Sequence, residues 1–164
     1  MGSDSDCKVM QKAVAVLKEF GVAFEVHVSS AHRTPEKTVA LVENFEGTCF
    51  IAGAGAAAHL AGVVAAHTTK PVIAVPLDSG ALHGLDALYA TVQMPTGIPV
   101  ATVAIDGGSN AAILACQMLA LSDAELMQKI KDYKASLASS VEERDARLQQ
   151  KIAAAYKEYF LDPH

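Results

Sequence analysis

Residues 30–35, SAHRTP, gather side chains that can move protons and bind anions. The imidazole of His32 can carry a proton, and the planar guanidinium of Arg33 can hold a phosphate through two hydrogen bonds. A single loop histidine is more often a surface residue, but the adjacent arginine favours a functional role. The segment lies between a predicted strand and a predicted helix, at the edge where open α/β sheets bind their ligands.

A second polar cluster stands at the start of the chain, where residues 2–6 are GSDSD. They precede a predicted helix, whose positive end and free amides favour an anion such as phosphate. The hydroxyls of Ser3 and Ser5 can bind such an anion, and a carboxylate such as Asp6 can accept hydrogen bonds from a ribose. Ordinary helix capping explains one serine or aspartate here, but not four in a row.

Residues 53–58, GAGAAA, match the pattern G-x-G-x-x-A between a predicted strand and a predicted helix. Asp78 follows Ala58 by 20 positions, which is the spacing of a dinucleotide-binding fingerprint. The alternative is close packing of a small-residue helix on the sheet, since a chain rich in glycine and alanine produces such patterns easily. His59 follows in the same apolar segment, where a lone histidine is more often structural than catalytic. The pattern alone leaves these alternatives open.

The histidines and cysteines show no metal-binding spacing, since H-E-x-x-H and C-x-x-C are both absent from the sequence. We therefore expect no metal site. Cys7, Cys49 and Cys116 lie far apart, which argues against a disulfide framework and favours a cytoplasmic protein.

Length and composition are those of a single domain of 164 residues. Hydrophobic residues make up 51% of the chain and charged residues 19%, against about 25% charged in average proteins. We infer that part of the surface is buried against copies of the same chain. The net charge of -5 argues against a nucleic-acid partner, and the apolar stretch 52–66 is too short to span a membrane.

Strands and helices alternate along the sequence, and two of the strands are apolar without alternation, which is typical of strands covered on both faces. The order predicts an α/β fold, a three-layer sandwich around a parallel sheet. The single domain 1–164 divides into a core of 1–121 and C-terminal helices within 122–160. Predicted strands cover 23–28, 48–52, 71–76 and 98–105, and predicted helices cover 9–20, 34–45, 56–66, 85–92, 110–121, 123–138 and 141–160.

The predicted order lacks one element at its beginning. A parallel α/β domain normally begins with a strand, but only Met1 and Gly2 precede the first helix. We expect that the first strand is either absent from this chain or encoded upstream of an internal methionine. That strand would occupy the centre of the sheet.

Taken in order, several motifs resemble one known family. The chain resembles the class I N5-carboxyaminoimidazole ribonucleotide mutases, in the family of phosphoribosylaminoimidazole carboxylase catalytic subunits. The motifs that carry the resemblance are GSDSD, SAHRTP, AGAGAAAHLAG, PVIAVP, GLDALYATVQMPTGIPVATVAI and NAAILA. The resemblance covers residues 1–121. It implies a flavodoxin-like sandwich, a homo-octamer, a small-molecule ribonucleotide substrate and no cofactor. The implied reaction moves a carboxylate from the exocyclic nitrogen of the substrate to ring carbon C4 in purine biosynthesis.

The resemblance also implies roles for residues at matching positions. His32 matches the histidine that transfers protons. The other matching positions are expected to contact the nucleotide: Ser3, Ser5, Asp6, Ser30, Arg33, Ala54, Gly55 and His59. Of these, the two serines Ser5 and Ser30 are expected beside the phosphate, and the last three around the imidazole and the migrating carboxylate.

Residues 57–60, AAHL, favour the mutases over relatives that carboxylate directly with CO2, which usually carry Arg-Ser-Asn in this loop. Arg33 agrees, because lysine is common there in the carboxylases. Direct CO2-dependent carboxylation remains the alternative among enzymes, and a nucleotide-binding or assembly module remains the alternative outside them. The chain departs from the family at Ala56 and Ala61, where glycine and proline are usual, and in the short loop 106–109.

Overall fold

The computed structural model describes residues 1–160, with side chains described as far as residue 156. Its sheet contains three parallel strands in the order β1 (Phe50–Gly55), β2 (Val72–Leu77) and β3 (Ala101–Thr102). β1 and β2 pair along their full length. A 3-10 turn (Asp4–Asp6) precedes the helices, which are α1 (Cys7–Phe20), α2 (Pro35–Glu43), α3 (Leu60–Ala66), α4 (Leu85–Val92), α5 (Gly108–Leu119) and α6 (Ala124–Phe160).

The central strand of these three is β2, and all six of its residues are buried. It needs no alternation of apolar and polar residues because helices cover both of its faces. One face carries α1, α5 and the beginning of α6, and the other carries α2, α3 and α4. The predicted three-layer α/β sandwich is confirmed.

α1 brings the polar start of the chain to the carboxyl edge of the sheet. Its buried face is formed by Met10, Ala13, Leu17 and Phe20, which recur at helical spacing. Gly21 ends the helix with a φ of 74°, a left-handed conformation that glycine adopts without steric cost. The buried stripe therefore fixes how α1 lies over the sheet, and with it the position of residues 2–6.

Small residues allow α1 and α5 to approach each other closely. A Cβ atom added to Gly108, the first residue of α5, would lie 2.7 Å from the carbonyl oxygen of Val9. Ala112 and Cys116 continue the buried stripe of α5 into the cluster that contains α1. Such a contact tolerates no larger side chain without moving one of the helices.

The expected strand at 23–28 is wrong, because residues 22–30 form an irregular segment. All residues from 23 to 28 are exposed, but an alternation persists, because Glu25 and His27 line a cavity between the segment and β1 whereas Phe24, Val26 and Val28 do not. A strand requires a hydrogen-bonded neighbour. Met1 and Gly2 lie between this segment and β1, and among residues 1–160 no strand pairs with residues 23–28.

The expected pair of C-terminal helices is also wrong, because 124–160 form the single helix α6. No glycine or proline lies between 123–138 and 141–160, and the residues at the junction, Ser139 and Ser140, do not end a helix by themselves. The hydroxyl of Ser139 donates a hydrogen bond back to the carbonyl oxygen of Ala135 within the helix. At the start of α6, the carboxylate of Asp123 accepts the N–H of Leu126 and caps the helix.

Two further boundaries differ from the predictions. α3 begins at Leu60 rather than at residue 56, which leaves 56–59 as a loop, and β3 keeps only two residues of the predicted strand 98–105. Across residues 1–160, no helix combines the length and the apolar character needed to cross a membrane.

Candidate active site

A cleft of about 380 Å³ opens at the carboxyl edge of the sheet. Three chain segments that are remote in sequence form its walls: residues 2–6, the loop 30–33 and the end of β1 with the turn that follows it. The structure brings eight of the nine predicted site residues into the lining: Ser3, Ser5, Asp6, Ser30, His32, Arg33, Ala54 and Gly55. The ninth, His59, contacts His32.

At the chain start, hydrogen bonds hold the polar residues ahead of α1. The carboxylate of Asp6, which is only 8% exposed, accepts the backbone N–H of Ser3 at 2.8 Å. The hydroxyl of Ser5 donates to the hydroxyl of Ser3 at 3.1 Å, and Asp4 accepts the backbone N–H of Ser5. Two hydroxyls are thus presented beside the positive end of a helix, an arrangement that suits an anion.

The loop 30–33 carries the cationic side of the cleft. The hydroxyl of Ser30 accepts both the backbone N–H of Arg33, at 3.2 Å, and the Nε–H of the same residue, at 3.4 Å. Thr34 closes the loop, because its hydroxyl accepts the backbone N–H of Ser30 at 2.9 Å. The guanidinium of Arg33 is therefore held at its Nε and keeps its terminal nitrogens for a ligand.

His32 and His59 form a pair at the cleft. Nε2 of His32 lies 2.8 Å from Nδ1 of His59, and the two rings meet edge to face with their centroids 4.9 Å apart. One nitrogen of the contact carries the hydrogen, so the contact couples the tautomers of the two rings. Both residues are exposed, which excludes the buried structural role considered for His59. When His32 donates through Nε2, its Nδ1 keeps a lone pair that can receive a proton.

The glycine-rich segment packs tightly but lacks the helix of a dinucleotide fingerprint. Both glycines belong to β1: a Cβ on Gly53 would lie 2.4 Å from the sulfur of Met10, and one on Gly55 would lie 2.1 Å from the Oγ of Ser79. The following helix begins only at Leu60, so no helix N-terminus stands directly after the glycines. The structure therefore accounts for the pattern by close packing.

Ala56 turns the chain at the rim of the cleft with a φ of 52°. This left-handed conformation costs a non-glycine residue roughly 1–2 kcal/mol. The next turn is tight, because the N–H groups of Ala58 and His59 donate to the carbonyl oxygens of Ala56 and Ala57 at 2.8 Å. The departure from glycine noted at position 56 thus falls on a conformation that glycine adopts without this cost.

Ser79 is a cleft residue that the sequence prediction missed. It lies two residues after the end of β2 at Leu77, at the same edge of the sheet as the end of β1. Its position after a buried predicted strand is the one feature of the sequence that points to it, because Ser79 belongs to no recognisable motif. In the described part of the chain, no three histidine, cysteine, aspartate or glutamate side chains come together in a way that could hold a metal ion.

The fold is a flavodoxin-like α/β sandwich with a cleft at the carboxyl edge of its sheet, the edge where open α/β sheets bind their ligands. The family model described as AIR carboxylase matches residues 1–140, more than half of the sequence. The chain belongs to this family, which confirms the resemblance drawn from the motifs.

Similar proteins cover nearly the whole chain. An N5-carboxyaminoimidazole ribonucleotide mutase of Methanocaldococcus jannaschii is 57% identical over 150 residues, which are 92% of this chain and 95% of that protein. A protein of the same name from Thermotoga maritima is 48% identical and covers 97% of this chain and 93% of its own length. The crystal structure of Treponema denticola PurE matches with a TM-score of 0.82 at 34% identity, over 90% of this chain and 94% of that one.

Proposed function

We propose that this protein converts N5-carboxyaminoimidazole ribonucleotide into 4-carboxy-5-aminoimidazole ribonucleotide, a step of purine biosynthesis. The observation that supports the proposal is the cleft whose lining joins His32 and Arg33 to the serines and the aspartate ahead of α1. The names of the similar proteins from Methanocaldococcus jannaschii and Thermotoga maritima support it.

The polar walls of the cleft suit the phosphate and the ribose of a ribonucleotide. Ser3, Ser5 and Ser30 offer hydroxyls to the phosphate, and Arg33 offers its charge and its free guanidinium nitrogens. The carboxylate of Asp6 suits the ribose, because an ionised carboxylate accepts hydrogen bonds from hydroxyls. The imidazole ring would then lie toward the end of β1.

The histidine supplies the proton transfers that the rearrangement needs. The carbamate C–N bond breaks and releases CO2, while the exocyclic nitrogen takes a proton from His32. Carbon C4 of the electron-rich ring then attacks the CO2, a C–C bond forms, and the proton that leaves C4 returns to the histidine. The group thus serves first as general acid and then as general base. His59 at 2.8 Å supports this cycle, because it orients the His32 ring and shares its hydrogen bond.

The small apolar residues at the end of β1 have a distinct role in this scheme. Ala54, Gly55, Ala56 and Ala57 line the cleft with little polar surface beyond their backbone groups, and Leu60 adds an apolar side chain. Such a wall keeps CO2 beside the ring without presenting a water molecule to hydrate it.

The test is conversion of the carbamate nucleotide labelled with carbon-13 in its carboxylate, in two buffers, one with unlabelled bicarbonate and one without it. We expect product that keeps the label, formed without any need for bicarbonate. Product that carries unlabelled carboxylate and requires bicarbonate would indicate direct carboxylation, which the description of the family model also permits. No product under either condition would contradict both proposals.

We further propose that the protein works as a homo-octamer in the cytoplasm. Exposed apolar side chains support self-association: Leu85, Tyr89 and Val92 recur along one side of α4, and Leu137 and Val141 begin a similar row on α6. The free thiols of all three cysteines suit a reducing compartment. Sedimentation equilibrium should give eight times the mass of the chain, and a monomer would contradict the octamer.

Replacing Arg33 by lysine should raise KM about tenfold with little change in kcat. Lysine keeps the positive charge but loses the planar fork, whose Nε is held by Ser30 while its terminal nitrogens stay available for the phosphate. Steady-state kinetics measure the effect, with Arg144→Lys on α6 as the matched control. An unchanged KM would show that Arg33 does not bind the phosphate.

A further inference from the structure

Ser79 belongs to the loop 78–84, which joins the end of β2 to α4, and it lines the cleft. A Cβ atom added to Gly55 would lie 2.1 Å from the Oγ of Ser79 and 2.5 Å from its Cβ. The hydroxyl of Ser79 therefore rests against the bare backbone of Gly55, at the end of β1. Any side chain at position 55 would take the space that this hydroxyl occupies.

Hydrogen bonds hold the loop 78–84 on both sides of Ser79. The N–H of Asp78 donates to Oδ1 of Asp106, in the loop after β3, at 3.1 Å. Beyond Ser79 the chain makes a tight turn, in which the N–H of His83 donates to the carbonyl oxygen of Gly80 at 3.0 Å. Because both neighbours of Ser79 are held, the loop presents its hydroxyl to the cleft from a defined position.

The hydroxyl of Ser79 is available to a ligand. The residue is exposed, and in the part of the chain that the structure describes no protein group forms a hydrogen bond with its side chain. The other hydroxyls of the cleft are already engaged, since Ser5 donates to Ser3 and Ser30 accepts from Arg33. Ser79 therefore keeps its donor and both of its acceptor lone pairs.

This hydroxyl stands against a wall that is otherwise apolar. The residues at the end of β1 and in the turn after it have side chains without any hydrogen-bonding group: Ala54, Gly55, Ala56, Ala57 and Leu60. The remaining polar side chains of the lining all belong to residues 3–6 and 30–33. A charged oxygen atom that lies at this wall without a donor would be destabilised. Among the side chains that line the cleft, Ser79 is placed to supply that donor.

We propose that Ser79 binds the carboxylate that the reaction transfers, an inference that rests on the proposed function. With the phosphate and the ribose on the polar walls, the imidazole ring lies toward the end of β1, beside Ser79. The hydroxyl donates a hydrogen bond to one oxygen of the carboxylate, in the carbamate and again in the C4 product. The class of ligand that Ser79 selects is therefore a ribonucleotide whose imidazole carries a carboxylate.

A neutral hydroxyl suits a group whose charge changes during the reaction. The carbamate and the C4 product carry a carboxylate, whereas the CO2 between them is neutral. A hydroxyl can donate to an oxygen atom of all three, and it donates more strongly to the two anions. A lysine or an arginine in this place would stabilise the anions far more than CO2 and would oppose the release of CO2. Ser79 thus holds an oxygen atom while the carbon changes its bond from nitrogen to C4.

The experiment measures two quantities in Ser79→Ala and in the original chain. One is kcat/KM for the carbamate nucleotide, and the other is the inhibition constant of aminoimidazole ribonucleotide, which lacks the carboxylate. We expect kcat/KM to fall about tenfold or more, because a hydrogen bond to a charged group is lost, and the inhibition constant to stay within about twofold. Ser5→Ala should weaken both quantities, since both ligands carry the phosphate. Ser136→Ala, on the exposed surface of α6, should change neither.

Three results separate this inference from the proposed function. An unchanged kcat/KM in Ser79→Ala would overturn the inference alone, provided that the original chain converts the carbamate. Equal losses in both quantities would also overturn it, because Ser79 would then contact the shared part of the nucleotide or support the loop. No conversion by the original chain would contradict the proposed function, and the inference with it. Urea unfolding should be the same in Ser79→Ala and the original chain, because the hydroxyl gives up no hydrogen bond within the described residues.

Discussion

Replacing His32 by asparagine is expected to lower kcat about a thousandfold while it leaves nucleotide affinity nearly unchanged. The asparagine amide has a similar reach and retains a donor and an acceptor, but it cannot take up and release a proton near neutral pH. The side chains proposed to hold the phosphate include Ser30 and Arg33 of the same loop, and they hydrogen-bond to each other rather than to His32. The decrease in kcat should therefore come from a slower chemical step and not from weaker binding. Single-turnover conversion of the carbamate nucleotide and calorimetric titration with aminoimidazole ribonucleotide separate the two quantities.

A matched control is His67→Asn, which changes an exposed histidine at the end of α3 and should leave turnover unaffected. His59→Asn should give an intermediate loss of about tenfold, because it removes the partner 2.8 Å from Nε2 but not the proton carrier. Normal turnover in His32→Asn would be incompatible with the assigned role. A variant that loses binding and turnover together would make His32 a binding residue instead.

Replacing Gly108 by valine is expected to lower the free energy of unfolding by about 2–3 kcal/mol. Even the Cβ of the new side chain would lie 2.7 Å from the carbonyl oxygen of Val9, so α1 and α5 must separate. Because α1 carries the polar residues of the chain start, KM should rise as well. Urea unfolding followed by circular dichroism gives the stability, and steady-state kinetics of the folded variant give KM.

Gly80→Val is the matched control for this change. A Cβ on Gly80 meets no atom within 4 Å, so the substitution should alter stability by less than about 0.5 kcal/mol. Equal destabilisation by the two valines would show that the contact between α1 and α5 is not the cause. Loss of stability without a change in KM would show that α1 does not position the chain start.

Local signals explain which elements the sequence predicts well. α4 has the predicted limits, 85–92. α1 ends at the expected Gly21, and α2 begins at the expected Thr34-Pro35. Capping residues, helical periodicity and glycine act over a few positions, so they are visible without the fold. The predicted break at residues 139–140 is absent from α6, because no glycine or proline there ends the helix.

Pairing over long distances explains what the sequence leaves out. The side-chain pattern of 23–28 is that of a strand, but pairing depends on what lies beside it in the sheet. The contact between His32 and His59 joins residues 27 positions apart, and no local rule fixes the direction of either ring. The residues gathered in the cleft were largely predicted, because the loops after parallel strands meet at one edge. Their hydrogen bonds were not.

The packing of α1 against α5 has a consequence for the nascent chain. Every residue that lines the cleft lies before residue 80, whereas α5 begins at Gly108. During synthesis the complete set of side chains that line the cleft therefore leaves the ribosome before α5, which packs against α1. Until α5 has emerged and docked, Ala13, Leu17 and Phe20 of α1 lack the side chains of α5 that bury them in the folded protein. The cleft is encoded early in translation and assembled late.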